Sequence, residues 1–305
     1  MQERLAGILL GTAVGDALGL PAEGMRPSRR RRIWPGPWRH HFLFGRGMIS
    51  DDTEHAFFVA QSLLREPDDP ADFQRRLARK LRWWLLGLPG GIGWATLRAC
   101  LKLWIGFPPT RSGVFSAGNG PAMRSAILGG YFCEEDNGQS LEHFVRAATT
   151  LTHTDPKAAT AALAVARLAA WAVRHGASQA PEADAVAEML TAIAPDDSEW
   201  RDLVEKMRQA WAEDTTVTTL AVSLGLENGV TGYAYHTVPV AIYSWLLHYG
   251  DFRATVEAVL ECGGDTDTTG AIAGALAGAT TGLKGIPGQW LVGVRDWPLS
   301  VKRLT

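Results

Sequence analysis

Two stretches of this sequence carry a glycine at every fourth position: Gly7, Gly11, Gly15 and Gly19 near the start, and Gly270, Gly274, Gly278 and Gly282 near the end. Both stretches are otherwise built from good helix formers, and a period of four puts each set of glycines on one helix face. In a helix interior glycine costs about 1 kcal/mol against alanine. So many of them are affordable only where the backbones come closer than side chains allow. The chain is therefore expected to hold two helices with flat faces, packed either on each other or each on a different neighbour. If the two pair antiparallel, Glu23, just past the end of the first, lies beside Asp265 and Asp267 at the start of the second.

Helical periodicity continues over 52–65, 70–86, 121–132, 140–151, 157–175, 181–194, 198–213, 235–249 and 252–262, and no convincing strand alternation stands out. The expected fold is all-α: a single compact orthogonal multi-helix domain spanning 1–305, with a two-metal cluster at helix N-termini. A chain of 305 residues with 46% hydrophobic and 20% charged residues can bury such a core. Three Pro/Gly-rich breaks, 26–47, 87–93 and 106–121, read as long loops, and loops of that length in a helical domain are candidate walls of a binding site.

The net charge of −2 gives no global case for nucleic-acid or membrane binding. Cys100, Cys133 and Cys262 are too few and too scattered for a disulfide framework or a zinc site, so a cytoplasmic setting is expected. Asp16 interrupts the apolar N-terminus well short of the ~20 residues of a membrane span, which reads as a core helix.

Two segments carry the chemistry. Ser50-Asp51-Asp52-Thr53-Glu54 opens one helix, and by itself it reads as a capping box with Asp51 as cap and Glu54 three residues on. Gly264-Asp265-Thr266-Asp267-Thr268 opens another, again with more carboxylate than one cap requires. Together they offer four aspartates and several hydroxyls, with no cysteine or histidine among them. Such hard oxygen donors select magnesium, manganese or calcium over zinc or copper. If the helix starts converge, the like charges repel unless cations lie between them, and a two-metal cluster resolves that. An all-helical prenyl synthase also faces aspartate-rich motifs across a cavity, but it calls for an aspartate four residues after the first, where this chain has His55.

Five runs in order, GTAVGDALGLPAEG, SDDTE, GNGPAMR, LTHTDPKAA and GGDTDTTGAIAGALAG, resemble the motifs of the ADP-ribosylhydrolase (ADP-ribosylglycohydrolase) family, relatives of the dinitrogenase reductase-activating glycohydrolase. The resemblance implies a hydrolase that cleaves ADP-ribose at the anomeric carbon with two Mg2+ or Mn2+ ions. Ser50, Asp51 and Asp52 match its first metal motif, and Asp265, Asp267 and Thr268 its second. Glu23, Asp52 and Asp267 are the expected catalytic residues, Glu23 as proton carrier or as ligand. Ser116, Gly118 and Asn119 match a loop that holds the ADP-ribose phosphates, and His153 a further phosphate contact. A glycine-rich turn of free backbone amides would suit that anion. The implied partners are an ADP-ribosylated protein or nucleic acid, or a free ADP-ribose derivative. A non-catalytic ADP-ribose-binding or structural relative is the alternative, and it would show lost ligands; none is lost here.

Some features stay open at this stage. Trp38 and Trp94 lie in the suspected rim and are candidates to stack on adenine. Arg29, Arg30, Arg31 and Arg32, with Arg26, Arg39 and Arg46 near them, read as a solvated loop or as a clamp for an acidic macromolecule. Arginine-cleaving relatives resemble one another in a Pro-x-Asp-Ile-Gly loop, where this chain reads Pro89-Gly90-Gly91-Ile92-Gly93, so arginine is not the expected linkage.

Overall fold

The computed structural model describes residues 1–87, 89, 91–135 and 138–295. Leu88 and Gly90, within the expected 87–93 loop, lie outside the described residues. Among the described residues there are 17 α-helices, and the only strands are Gly47–Met48 and Val294–Arg295, a two-residue parallel pair.

The glycine stripes pack on each other. The N-terminal helix, Gln2–Gly19, runs antiparallel to the helix Thr266–Thr281 along its whole length. A Cβ on Gly7, Gly11, Gly15 or Gly19 would land on the carbonyl of Gly278, Gly274, Gly270 or Thr266 in turn. The reverse holds for Gly270, Gly274 and Gly278, which face the carbonyls of Gly15, Gly11 and Gly7. Gly282, counted in the stripe, instead caps the helix with φ +68°, a conformation glycine enters without steric penalty. By length and a mean hydropathy of 1.5 the segment Gln2–Ala22 also suits a membrane span, but 72% of its apolar 18-residue window is buried within this fold.

Several further helices pack on this pair. Pro156–His175 and Ala234–Leu247 flank Thr266–Thr281, and the Asp51–Leu63 helix packs on Gln2–Gly19. Trp200, Trp245 and Trp290 are fully buried, and Trp245 Nε1 donates to Thr280 Oγ1 at 2.8 Å. The three cysteines are buried free thiols.

Two of the expected loops contain helices. Pro27–Ile33 lies inside 26–47, started by Pro27 where a missing N–H costs nothing. Pro109–Ser112 lies inside 106–121. Trp94–Trp104 and Val217–Ser223 were also missed. The first had a signal, since Thr96, Ala99, Cys100 and Leu103 are buried at one-face helical spacing.

Candidate functional site

The seam between the two glycine helices ends at a cavity of about 450 Å³. It is lined by Glu23, Asp51, Asp52, Asp265, Asp267 and Thr268 on one side and by Ser116, Gly118, Asn119 and His153 on the other. A larger cleft, about 950 Å³, opens near Met1, Arg4 and Gly282 at the far end of the seam, but Glu3 is its only acidic residue.

Local backbone geometry sets the acidic side. Gly263 and Gly264 both have positive φ, +66° and +79°, so the chain can reverse sharply just before Asp265. That reversal is locked on both flanks: Gly24 N–H donates to Gly264 O, Gly264 N–H to Met25 O and Asp265 N–H to Val230 O, each at 2.8 Å. Glu23 is thereby held at the rim near Asp265 and Asp267, as antiparallel pairing required.

The Asp51 helix corrects the capping-box expectation. Its N-cap is Ser50, whose hydroxyl accepts from Asp52 N–H at 3.3 Å. Asp16, from the glycine helix, accepts from Ser50 N–H at 2.9 Å and Thr53 N–H at 3.2 Å. Glu54 accepts from Trp84 Nε1 at 2.6 Å. With Ser50 and Asp16 serving the helix terminus, Asp51 and Asp52 line the cavity. Asp16 is wholly buried and structural, and burial pushes its carboxyl up to about 6.

Asp52 Oδ2 accepts from Ser50 Oγ at 3.1 Å and from Thr268 Oγ1 at 3.3 Å, which joins the two motifs directly. Asp265 Oδ2 accepts from Asn119 Nδ2 at 2.7 Å. Asp52 Oδ1 and Asp267 Oδ1 are buried with no hydrogen-bond partner. Among the described residues none of these four aspartates is in an ion pair. Burial first, and then neighbouring carboxylates, hold Asp51, Asp52 and Asp267 well above the usual carboxylate range. Glu23 is raised more gently by partial burial and by Asp265.

No three His, Cys, Asp or Glu side chains among the described residues stand as a closed ion cage. The aspartates line one wall of the cavity without closing a cage by themselves.

On the opposite side two of the expected free amides are already used. Gly118 N–H donates to Ser116 Oγ at 3.3 Å and Asn119 N–H to Gly232 O at 3.0 Å. What reaches the cavity instead is the imidazole edge of His153. A Cβ on Gly118 would lie 3.0 Å from His153 Nε2, and one on Gly120 3.1 Å from His153 Cε1. Side chains at these two positions would crowd that edge.

Of the two tryptophans, Trp38 is buried, donates to Glu261 Oε1 at 2.8 Å and lies under the Arg30 guanidinium, so it is structural. Trp94 is 80% exposed on the cavity rim. Gly91, with φ +81°, lies over the acidic side, and a Cβ there would be 3.4 Å from Asp51 Oδ1.

The all-α fold thus sets aspartates from two helix starts on one wall of a cavity, with Ser116, Asn119 and His153 on the other. The ADP-ribosylglycohydrolase family model matches residues 1–305. The ADP-ribosyl-[dinitrogen reductase] glycohydrolase of Rhodospirillum rubrum is 28% identical, with 95% of this chain and 90% of that protein covered. ADP-ribosylhydrolase ARH3 of Homo sapiens is 28% identical over 94% of this chain and 86% of its own. A solved structure titled ADP-ribosylglycohydrolase-related protein complex is 30% identical at TM-score 0.62, covering 96% of this chain and 93% of that one. The chain belongs to the ADP-ribosylglycohydrolase family, and that membership supports hydrolytic removal of ADP-ribose from ADP-ribosylated substrates.

Proposed function

We propose that this hydrolase works with two magnesium or manganese ions held by Asp51, Asp52, Asp265 and Asp267, with Ser50 and Thr268 oxygens beside them. The observation that carries the reading is the pair of buried, unpartnered oxygens, Asp52 Oδ1 and Asp267 Oδ1. A like-charge pair about 4 Å apart repels by about 4 kcal/mol in a protein-like medium. Among the described residues no arginine or lysine forms an ion pair with the four carboxylates, and the donors are all oxygen, which fits hard divalent cations. When bound, such ions supply Lewis-acid stabilisation and a template for the ribose hydroxyls.

The protein groups do the rest. Asn119 holds Asp265 in place through its amide. Ser116 and His153 face the diphosphate. Glu23, at the rim and raised above its ordinary value by partial burial and by Asp265, carries a proton to the leaving-group atom or from the attacking water as an oxocarbenium-like state forms.

The decisive experiment is product analysis on a panel of arginine-linked, serine-linked, nucleic-acid-linked and free ADP-ribose derivatives, with and without chelator. Released ADP-ribose that disappears with chelator and returns with magnesium or manganese is expected. Binding of ADP-ribose without turnover of any panel member would instead favour the non-catalytic reading.

We also propose that arginine is not the preferred linkage. Gly91 lies against Asp51, and it leaves blank the position from which a carboxylate would grip a guanidinium fork. Loss of that charge-assisted hydrogen bond predicts a rate on arginine-linked substrate about one to two decades lower. Aspartate and asparagine tolerate the left-handed region better than other side chains. Gly91→Asp should therefore gain arginine activity while Gly91→Asn, equally strained, does not. A wild type that prefers arginine over both oxygen linkages sinks this reading.

A further inference from the structure

Behind the donor side of the cavity a line of buried polar groups runs inward. Arg124, the last residue of the GNGPAMR run, is fully buried. Its Nη2 donates to Ala148 O at 2.9 Å and to Thr152 Oγ1 at 2.6 Å, and its Nη1 lies 3.2 Å from His55 Nδ1. Thr152 Oγ1 in turn lies 2.8 Å from His153 Nδ1.

Counting protons fixes the direction of every link. A guanidinium has donors only, so Thr152 Oγ1 accepts from Arg124. Thr152 is fully buried and has one hydroxyl proton to place. Its other contact is His153 Nδ1. Were Nδ1 protonated, the hydroxyl would receive two donors and its own proton would be buried without an acceptor, a desolvation penalty that native structures rarely accept. The hydroxyl therefore donates to Nδ1, and Nδ1 carries no proton. Burial and the nearby Arg124 charge push the His153 imidazolium down to about 3, so the ring is neutral at physiological pH. Its single proton is then on Nε2, the atom set against Gly118 at the cavity.

We infer that Arg124 is a positioning residue: through Thr152 it fixes His153 as the Nε2–H tautomer, so the cavity is offered a hydrogen-bond donor at that point. The opposite tautomer would aim a lone pair at the ligand. With the Gly118 and Asn119 amides already engaged, this donor adds a fixed point at which the cavity can meet a phosphate oxygen. The inference rests on the proposed reading only in naming that phosphate; the tautomer itself is a property of the ligand-free protein.

The test is the histidine ring nitrogen–proton correlation spectrum of the 15N-labelled, ligand-free protein at neutral pH, with His153 assigned by the signal lost in His153→Gln. An Nε2–H pattern is expected in the wild type. Thr152→Val, which removes the hydroxyl at nearly constant shape, should give a tautomer mixture and bind ADP-ribose about tenfold more weakly, and Thr152→Ser should restore both. Arg124→Met should give the same mixture with Thr152 intact. An Nδ1–H pattern in the wild type, or an unchanged tautomer in Thr152→Val, overturns the relay. If Arg124→Met folds and keeps the wild-type tautomer, Arg124 has no part in it; if it does not fold, the Thr152 pair decides alone. An Nε2–H tautomer in a protein that does not bind ADP-ribose would leave the relay standing and count against the proposed function instead.

Discussion

The helices Gln2–Gly19 and Thr266–Thr281 behave differently along their length and at their open end. Along the seam the contacts are backbone on backbone, neutral, and without room for a methyl group at Gly7, Gly11, Gly15 or Gly19. At the mouth, a turn beyond Gly19, the same pair presents Glu23, Asp265 and Asp267, acidic groups of which Asp267 leaves a buried oxygen without a hydrogen-bond partner. The contrast shows where rigidity is needed and where it is given up. Carboxylates that repel one another hold a common position only if their scaffold cannot relax apart, and a seam with no slack meets that requirement. Stability and chemistry should therefore separate by position along one helix pair, and the following tests probe that separation.

The largest effect is expected at the mouth. Asp267→Asn keeps the shape and removes one charge, and turnover should fall on the order of a thousandfold. Ion-free stability should not fall, because a buried like charge has been relieved. Turnover assays paired with denaturant unfolding in chelator check both halves. An Asp267→Asn protein that is clearly less stable than wild type would show that the mouth helps to hold the fold.

The seam should respond in the opposite sense. In Gly11→Ala the new methyl meets the Gly274 carbonyl and, at 3.2 Å, the Phe252 ring, so the helices must separate. Overpacking of this kind costs typically 1–3 kcal/mol, and backbone on both sides places the expected loss at about 3 kcal/mol. Well below its melting temperature the variant should keep Michaelis constants near wild type. A folded, unshifted Gly11→Ala would break the account of the seam.

How much of this was legible beforehand differs between the two regions. The glycine spacing and the acidic helix starts follow from local pattern, which is why they could be read, whereas Glu23 beside Asp265 depended on the two stripes pairing antiparallel, which only the fold decides. The capping by Asp16, the spent amides of Gly118 and Asn119, and the Arg124 line depend on pairings between residues far apart in sequence, such as Arg124 with Thr152 and Asp16 with Ser50. Local pattern carries no register for such pairs. Trp38 was misread for the same reason, since only the fold places Glu261 and Arg30 around it. Pro27–Ile33 was missed because four consecutive arginines hide the apolar face by which a helix is recognised.

The mouth also predicts an unusual pH dependence of stability in the ion-free protein. Asp51, Asp52 and Asp267 have folded pKa values above their unfolded value of 3.8, so the native state binds more protons and stability declines as pH rises from 3.8 through the folded values. His55 and His153 are shifted down from 6.5, so the unfolded state binds more protons below that point and stability is lost as pH falls through it. The two slopes oppose each other. Asp52→Asn should weaken the first and His153→Gln the second, and saturating magnesium should flatten only the first. Unfolding curves across pH 4–8 measure this, and slopes unaffected by all three changes would mean the mouth carries no strain in its charge state.

The smallest effect is expected outside both regions, on the basic segment between Glu23 and Asp51. Arg30 is not free to clamp anything: it is buried, paired with Glu261 at 2.8 Å and stacked on Trp38 at 3.9 Å. Arg29, Arg31 and Arg32 are exposed, and Arg31 meets Glu261 only at 3.8 Å. Exposed charges act mainly on encounter rates and are screened beyond about 10 Å at 0.1 M salt. Replacing Arg29, Arg31 and Arg32 with serine, and leaving Arg30 in place, should slow capture of an ADP-ribosylated protein or nucleic acid a few-fold at low salt, with the difference closing as salt rises. Small ADP-ribose derivatives should react at the wild-type rate, because the mouth itself is untouched. If both substrate types slow together, the segment acts through Glu23 and the mouth rather than by steering, and the boundary drawn between rim and site is misplaced.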